Sequence, residues 1–220
     1  MYRYSSQKYN ASLLSLGIIR VGTLYDFRLT EHKKGIANSQ EGKKEVSHHI
    51  EKLFVTNPND PNIKDDIDFR SLEQFNAVRF SGNANNNSFH NITVAKSFNV
   101  PDCFILCTSK TCSTSTMNQF EGADSCVEIF DIKSFYRLLT DILNSVTPVI
   151  FQGIREVIYQ NRDEHWNGQD WGCHPALIKE TNFKKQCEIR AIWQPICKQP
   201  IVPVIIGDFR LGAFCRNISI

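Results

Sequence analysis

Nowhere in the sequence does an apolar run approach the roughly 20 residues that a helix needs to span a bilayer, and this excludes a helical membrane protein. The opening MYRYSSQKYNASLLSLG has neither the apolar stretch nor the small-residue cleavage site of a secretory signal. A cytoplasmic chain with reduced thiols is therefore expected. Charge of one sign is also missing: 25 Lys and Arg face 23 Asp and Glu, a net charge of +2. That balance argues against a broad non-specific nucleic-acid surface while leaving room for a local basic groove. No Walker loop, GxGxxG, GxSxG, HExxH or paired-carboxylate motif at short spacing is present. Among the eight cysteines there is no CxxC, and the adjacent Cys173 and His174 would coordinate one ion awkwardly. No metal is expected, and the cysteines read as buried structural thiols.

What is present suits a soluble core-forming chain of 220 residues, 41% hydrophobic and 22% charged. MYRYS reads as a first strand, followed by a short amphipathic helix using Leu13, Leu14 and Leu16 and closed by Gly17. IIRVG (18–22) reads as a second strand, with Thr23 capping a turn over TLYDFR (23–28). Residues 30–45 read as a polar loop, 45–55 as a strand, and the Pro/Asn/Asp-rich 56–66 as turns that no regular element should cross. FNAVRF (75–80) and NITVAKSF (91–98) look like hairpin arms around an Asn-rich tip. DCFILCTS (102–109) and SCVEIF (125–130) read as buried strands. The strongest helix signal is 131–146, capped by Asp131, with a stripe of Ile132, Phe135, Tyr136, Leu139, Ile142, Leu143 and Val146.

Beyond it, 148–160 reads as a strand with a bulge or kink at Gly153, and 161–175 as a Trp-containing loop. CEIRAIW (187–193) alternates best, with Glu188, Arg190 and Ile192 on one face and Cys187, Ile189, Ala191 and Trp193 on the other. Short strands near 202–207 and 213–220 complete a strand-rich α+β fold. We read it as a single domain over 1–220, with two or three helices and a loop-rich insertion around 56–91.

Three clusters could carry chemistry. Arg3, between Tyr2 and Tyr4, needs a carboxylate or an anionic ligand if its strand is buried. Glu188 and Arg190 share a strand face, where they could line a cleft. Tyr25, Phe27, Arg28 and Glu41 cluster near one loop with the flat aromatics and cation that suit a nucleotide ring. His48 and His49, adjacent in a strand, face opposite sides and cannot act together.

In order along the chain these pieces resemble a broad family of bacterial and phage domains of unknown function. Its members open on an aromatic–basic–Tyr strand, continue to an FNDPFEG-like segment and a Cys-Phe strand, and carry a late Glu-x-Arg strand. The counterparts here are Tyr2-Arg3-Tyr4, Ile19 to Arg28 leading to Gln40-Glu41-Gly42, Cys103-Phe104, Met117 to Gly122, Cys126 to Phe130, and Glu188-Ile189-Arg190. No FNDP is present, and Met117 is followed by Asn118 where the family has Trp.

The same order is similar to the ADP-ribosyltransferase-like superfamily, which implies split mixed or antiparallel sheets with NAD in the cleft. The resemblance implies an intracellular ADP-ribosyltransferase or NAD glycohydrolase, of the kind that serves as a toxin or as a phage or anti-phage effector. NAD or a related nucleotide would be its substrate, with a protein or nucleic-acid acceptor. By this resemblance Glu188 is catalytic, contacting a ribose hydroxyl and orienting or deprotonating the acceptor. Arg3 holds a ribose or phosphate, Tyr25 packs on nicotinamide, Arg28 and Arg190 attend phosphate, and Tyr4, Thr23 and Glu41 complete the cofactor-binding set. Two other readings stand beside it: a non-catalytic nucleotide- or nucleic-acid-binding module, and a phage or bacterial inhibitor acting through protein–protein contact.

Overall fold

The computed structural model describes residues 1–29, 37–81, 85–196 and 199–220. Residues 30–36 of the expected loop over 30–45, Gly35 among them, part of the Asn-rich tip, and Cys197 lie outside the described residues. The chain is α+β and forms two compact units, where the sequence suggested one domain with an insertion. Unit 1 comprises Met1–Gly42, Val100–Asn161 and Ala176–Ile220, and unit 2 comprises Lys43–Asn99 and Arg162–Pro175. Among the described residues no helix is long and apolar enough to cross a membrane.

Unit 1 opens with β1 (Tyr2–Ser5), α1 (Gln7–Leu16) and β2 (Ile18–Thr23), matching the sequence reading closely. Gly17 ends α1 in the left-handed region at φ 64°, and its N–H returns to the Leu13 and Ser12 carbonyls. A β-carbon there would fall 1.8 Å from the Asp208 carbonyl oxygen. Gly17→Ala is therefore expected to cost about 2 kcal/mol or more through backbone strain and collision. Thermal unfolding followed by circular dichroism checks this as a midpoint lowered by roughly 5 °C.

The other strands of unit 1 are β5 (Phe104–Ser109), β6 (Ser125–Ile129), β7 (Val149–Glu156), β8 (Ile158–Tyr159), β10 (Ile178–Lys179), β11 (Glu188–Pro195), β12 (Val204–Gly207) and β13 (Cys215–Ile218). Helices α4 (Thr114–Met117) and α5 (Ile132–Val146) lie between them. The main sheet runs β12-β2-β5-β1-β6-β13, with β11 on the opposite edge of β5 and β7 beyond it, all antiparallel. The Asp131 carboxylate accepts from the Ser134 N–H and caps α5 as expected. Phe135, Tyr136, Leu139 and Leu143 bury their face against Leu106, Ala191 and Trp193, whereas Val146, expected in the stripe, is exposed. At Gly153 (φ 98°) the β11–β7 register shifts, a bulge, which is one of the two readings the sequence allowed there. The other face of β5 and β11 packs Ile105 and Ile192 with Leu24, Cys103 and Ala176. Both faces of β11 are thus covered, so its alternation separates two buried environments rather than core from solvent.

In unit 2, β3 (Lys43–Val55) pairs antiparallel with β4 (Asn87–Asn99) and parallel with β9 (Asp163–His165), the last lying inside the segment expected to be loop. FNAVRF is not a strand; the hairpin partner of β4 is β3. Asn76 turns the chain at φ 54°, and Phe75, Val78 and Phe80 pack as plugs against Phe69, Leu72 and Ile50. Nor is 56–91 loop-rich throughout, because α2 (Pro61–Lys64) and α3 (Ile67–Gln74) cross the region read as turns and its continuation. Asp60 and Asp66 cap them, so the residues that signalled turns act as helix starts. His48 bonds Asp68 and His49 bonds Thr93, leaving the two rings with separate partners.

Candidate functional site

A fork in the main sheet of unit 1 creates the site. β11 pairs along the whole of β5, so β1 and β2 must share the other edge. β2 meets that edge at Phe104 and Ile105 and β1 meets it at Ser109. Both strands would continue onto the same stretch of β5, and they diverge instead, β1 toward β6 and β2 toward β12. The edge over Leu106, Cys107 and Thr108 is left without a ladder partner, and a cavity of about 490 Å³ occupies the opening. That volume falls in the range of small-molecule sites.

Each wall has a clear origin in the chain. β1 supplies Arg3, Tyr4 and Ser5; α1 supplies Lys8, Tyr9 and Ser12; β2 supplies Ile18, Arg20 and Gly22. The floor carries Ile105, Leu106 and Cys107 of β5 with Glu188 and Arg190 of β11, and Lys179 and Glu41 close it. The register explains the floor, since Arg190 lies opposite Cys107 and Glu188 opposite Ser109, putting these side chains on one face.

The floor's charges form one buried chain. Arg190 donates from Nη1 and Nη2 to the two carboxylate oxygens of Glu41 at 2.8 and 2.9 Å, and from Nε to Glu188 at 2.6 Å. Its Nη1 also reaches the Ala176 carbonyl at 2.6 Å. The second Glu188 oxygen accepts from Lys179 Nζ at 2.6 Å, and the same ammonium donates to Gln186 at 2.7 Å. The Glu188 N–H donates to the Tyr159 hydroxyl at 2.7 Å. Glu41 and Arg190 are each 1% exposed and Glu188 4%, so bulk water does not screen these pairs.

Burial alone would raise the Glu188 carboxyl, but Arg190 and Lys179 overrule it and hold the group well below the usual carboxylate range. Burial likewise opposes the Arg190 charge, and Glu188 with Glu41 reverses that, pushing the guanidinium upward. The Cys107 thiol is driven well above its ordinary value, by burial first and Glu188 second, so it stays protonated and is no nucleophile.

The Glu188 shift has a consequence in acid. A carboxyl with a depressed folded-state value stabilises the fold above its unfolded value, 4.5, and that stability is lost as pH falls below it. The thermal midpoint is therefore expected to drop steeply as pH falls from about 4.5, and Glu188→Gln should flatten that slope.

Arg3 is different. Among the described residues its guanidinium meets no carboxylate; its partner is the Asn10 side-chain oxygen, and Asn10 in turn donates to Ser125. Burial pulls it down to about 10, so it remains a cation at neutral pH. The cavity wall as a whole carries five cations (Arg3, Lys8, Arg20, Lys179, Arg190) against two carboxylates, Glu41 and Glu188. Arg20 pairs outward with Asp26 at 2.7 Å, and the Glu41–Arg190–Glu188–Lys179 chain balances itself. Among the described residues, the uncompensated charge is that of Arg3 and Lys8 on the wall.

The candidate residues divide accordingly. Arg3, Tyr4, Glu41, Glu188 and Arg190 converge on this cavity. Tyr4 stacks on Phe120, which also lines it, and anchors the following loop through its hydroxyl. Tyr25, Thr23 and Arg28 do not line it. Thr23 is buried and its hydroxyl accepts from the Asp26 N–H, a capping role. The Tyr25 ring lies under the Arg28 guanidinium, 3.9 Å from its centroid, with its hydroxyl on the Val100 carbonyl. Arg28 Nε donates to the Glu41 carbonyl at 2.7 Å. The turn over 26–28 directs Tyr25 and Arg28 at each other and away from the cavity, which a linear pattern of aromatic and cation does not reveal.

Lys179 and Lys8 were not singled out from sequence. Lys8 sits on the α1 face toward the fork, and Lys179 belongs to the two-residue strand β10, too short to give a periodic signal. Among the described residues no group of three or more His, Cys, Asp or Glu could hold a metal ion. The chain matches no family model, no curated protein and no solved structure.

Proposed function

We propose that the fork cavity binds an anionic nucleotide and that NAD is its substrate, cleaved at the nicotinamide–ribose bond by transfer of ADP-ribose or by hydrolysis. One observation carries this reading: Arg3 from the start of the chain and Glu188 from near its end line the same cavity. The Arg3 guanidinium, lacking a carboxylate, suits a phosphate oxygen through charge-assisted hydrogen bonds. Lys8 adds a second positive charge on the same wall, and Tyr4, Tyr9 and Phe120 offer aromatic surface to a base or ring.

In such a cleavage the bond between nicotinamide N1 and ribose C1′ breaks and its electron pair leaves with neutral nicotinamide. The oxocarbenium-like ribose is then captured by an acceptor or water oxygen, which releases its proton to solvent water. A carboxylate has about four lone-pair sites. Two on Glu188 are taken by Arg190 and Lys179 and a third faces the Cys107 thiol, which leaves one to accept from a ribose hydroxyl. A carboxylate held so far below its usual range is a weak base. Its role is thus to orient the ribose and stabilise positive charge, not to deprotonate the acceptor.

Purified protein incubated with NAD should release nicotinamide, measured by liquid chromatography, and Glu188→Gln should slow that release by about 100-fold. Absence of both release and NAD binding would sink the reading. A second reading, a nucleotide-binding module without turnover, is favoured by the engagement of both Glu188 oxygens. It predicts NAD or ADP-ribose binding in calorimetry with no nicotinamide formed.

A further inference from the structure

Seven cysteines among the described residues are free thiols, and two of them meet. Cys112 is exposed, in the segment after β5, while Cys126 is buried in β6. Tyr4 joins the two places. It is the cross-strand partner of Cys126, and its hydroxyl donates to the Thr111 carbonyl at 2.6 Å and accepts from the Ser113 N–H at 2.9 Å. Cys112 therefore sits between two residues pinned to the tip of Tyr4, and its thiol lies within hydrogen-bonding reach of the Cys126 thiol. An exposed thiol backed by a buried one is the arrangement of an attacking and a resolving cysteine.

The geometry points to a redox-active dithiol in which Cys112 and Cys126 form a disulfide when the protein meets a peroxide. The Cys112 sulfur attacks the O–O bond; one oxygen stays on sulfur as a sulfenic acid and the other leaves as water with the thiol proton. The Cys126 sulfur then attacks the sulfenic sulfur, its proton departing with the sulfenic oxygen as a second water. Two thiols are oxidised to one disulfide and one peroxide is reduced to two waters. Burial pushes the Cys126 thiol up to about 12, which keeps it from reacting with solution oxidants before Cys112 has done so. The bond would close the segment between Cys112 and Cys126 into a loop that carries Phe120, against which Tyr4 stacks.

The inference does not depend on what the cavity binds. Protein reduced and then treated with one equivalent of hydrogen peroxide at pH 8 is digested without reductant and mapped by mass spectrometry. The expected result is a Cys112–Cys126 linked peptide that dithiothreitol removes, with the thermal midpoint of the oxidised protein raised on the order of 5 °C. Cys112→Ser, an exposed change, should abolish the link. Cys126→Ser should leave a Cys112 sulfenic acid that dimedone traps. A wild-type protein whose Cys112 goes to sulfinic acid with Cys126 still free, or whose Cys126 pairs with another cysteine, overturns the inference, as does the absence of any linked peptide.

Discussion

Arg190→Leu is expected to destabilise unit 1 by about 3–5 kcal/mol, the cost of leaving buried charges without their partner. Thermal melts at pH 7 should show a midpoint lower by roughly 10 °C. The reason is the geometry of the floor: one guanidinium supplies two hydrogen bonds to the Glu41 carboxylate, which also accepts from Asn38 Nδ2 at 3.3 Å, and one to Glu188. Leucine fills part of the volume and returns none of these. The pH dependence separates this cause from simple loss of packing. Glu188, left with Lys179 alone in a buried setting, binds a proton more readily in the folded state, so the deficit should shrink as pH is lowered toward 5. A deficit constant between pH 7 and pH 5 would show that the chain of charges is not its source. Exchanging Glu41, Glu188, Lys179 and Arg190 together for apolar residues of similar size should recover much of the stability, since buried ion networks are often matched by well-packed hydrocarbon.

Arg3→Met should behave in the opposite sense. Affinity for ADP-ribose, measured by titration calorimetry, is expected to fall roughly tenfold or more, because hydrogen bonds from a charged donor contribute about 1.5–3 kcal/mol each. Folding stability should move by no more than about 1 kcal/mol, as only the Asn10 oxygen loses a partner and a buried cation is removed. Wild-type affinity should also weaken with added salt, and the variant should be less sensitive to it. Unchanged binding in Arg3→Met would remove Arg3 from the ligand site, whatever the remainder of the cavity does.

Local signals in the sequence carried most of unit 1. The αL glycine after α1, the Asp131 cap with its apolar stripe, and the alternation of β11 each depend on a few neighbouring residues, and each element stands where those residues put it. Unit 2 was harder to read. Asp60 and Asp66 bear the same chemistry whether they start turns or cap helices, and only the burial of Phe69 and Leu72 decides between the two. The site divides along the same line. Glu188 and Arg190 share a face by strand periodicity, so their association was legible. Glu41 as the partner of Arg190, and the turning of Tyr25 toward Arg28, depend on long-range folding that no local pattern encodes.

The Glu41–Arg190 pair joins residues 149 positions apart. At ribosomal rates of about 5–20 residues per second, Glu41 emerges roughly 7 to 30 seconds before its counterion. During vectorial synthesis the N-terminal segment of unit 1 waits with an acid destined for a dry interior and no arginine to receive it. Nascent chains stalled before β11 can acquire neither the floor of the fork nor the edge of β5 that it covers. They are therefore the species that chaperones and proteases should meet, and the main sheet of unit 1 can close only after β11 has emerged.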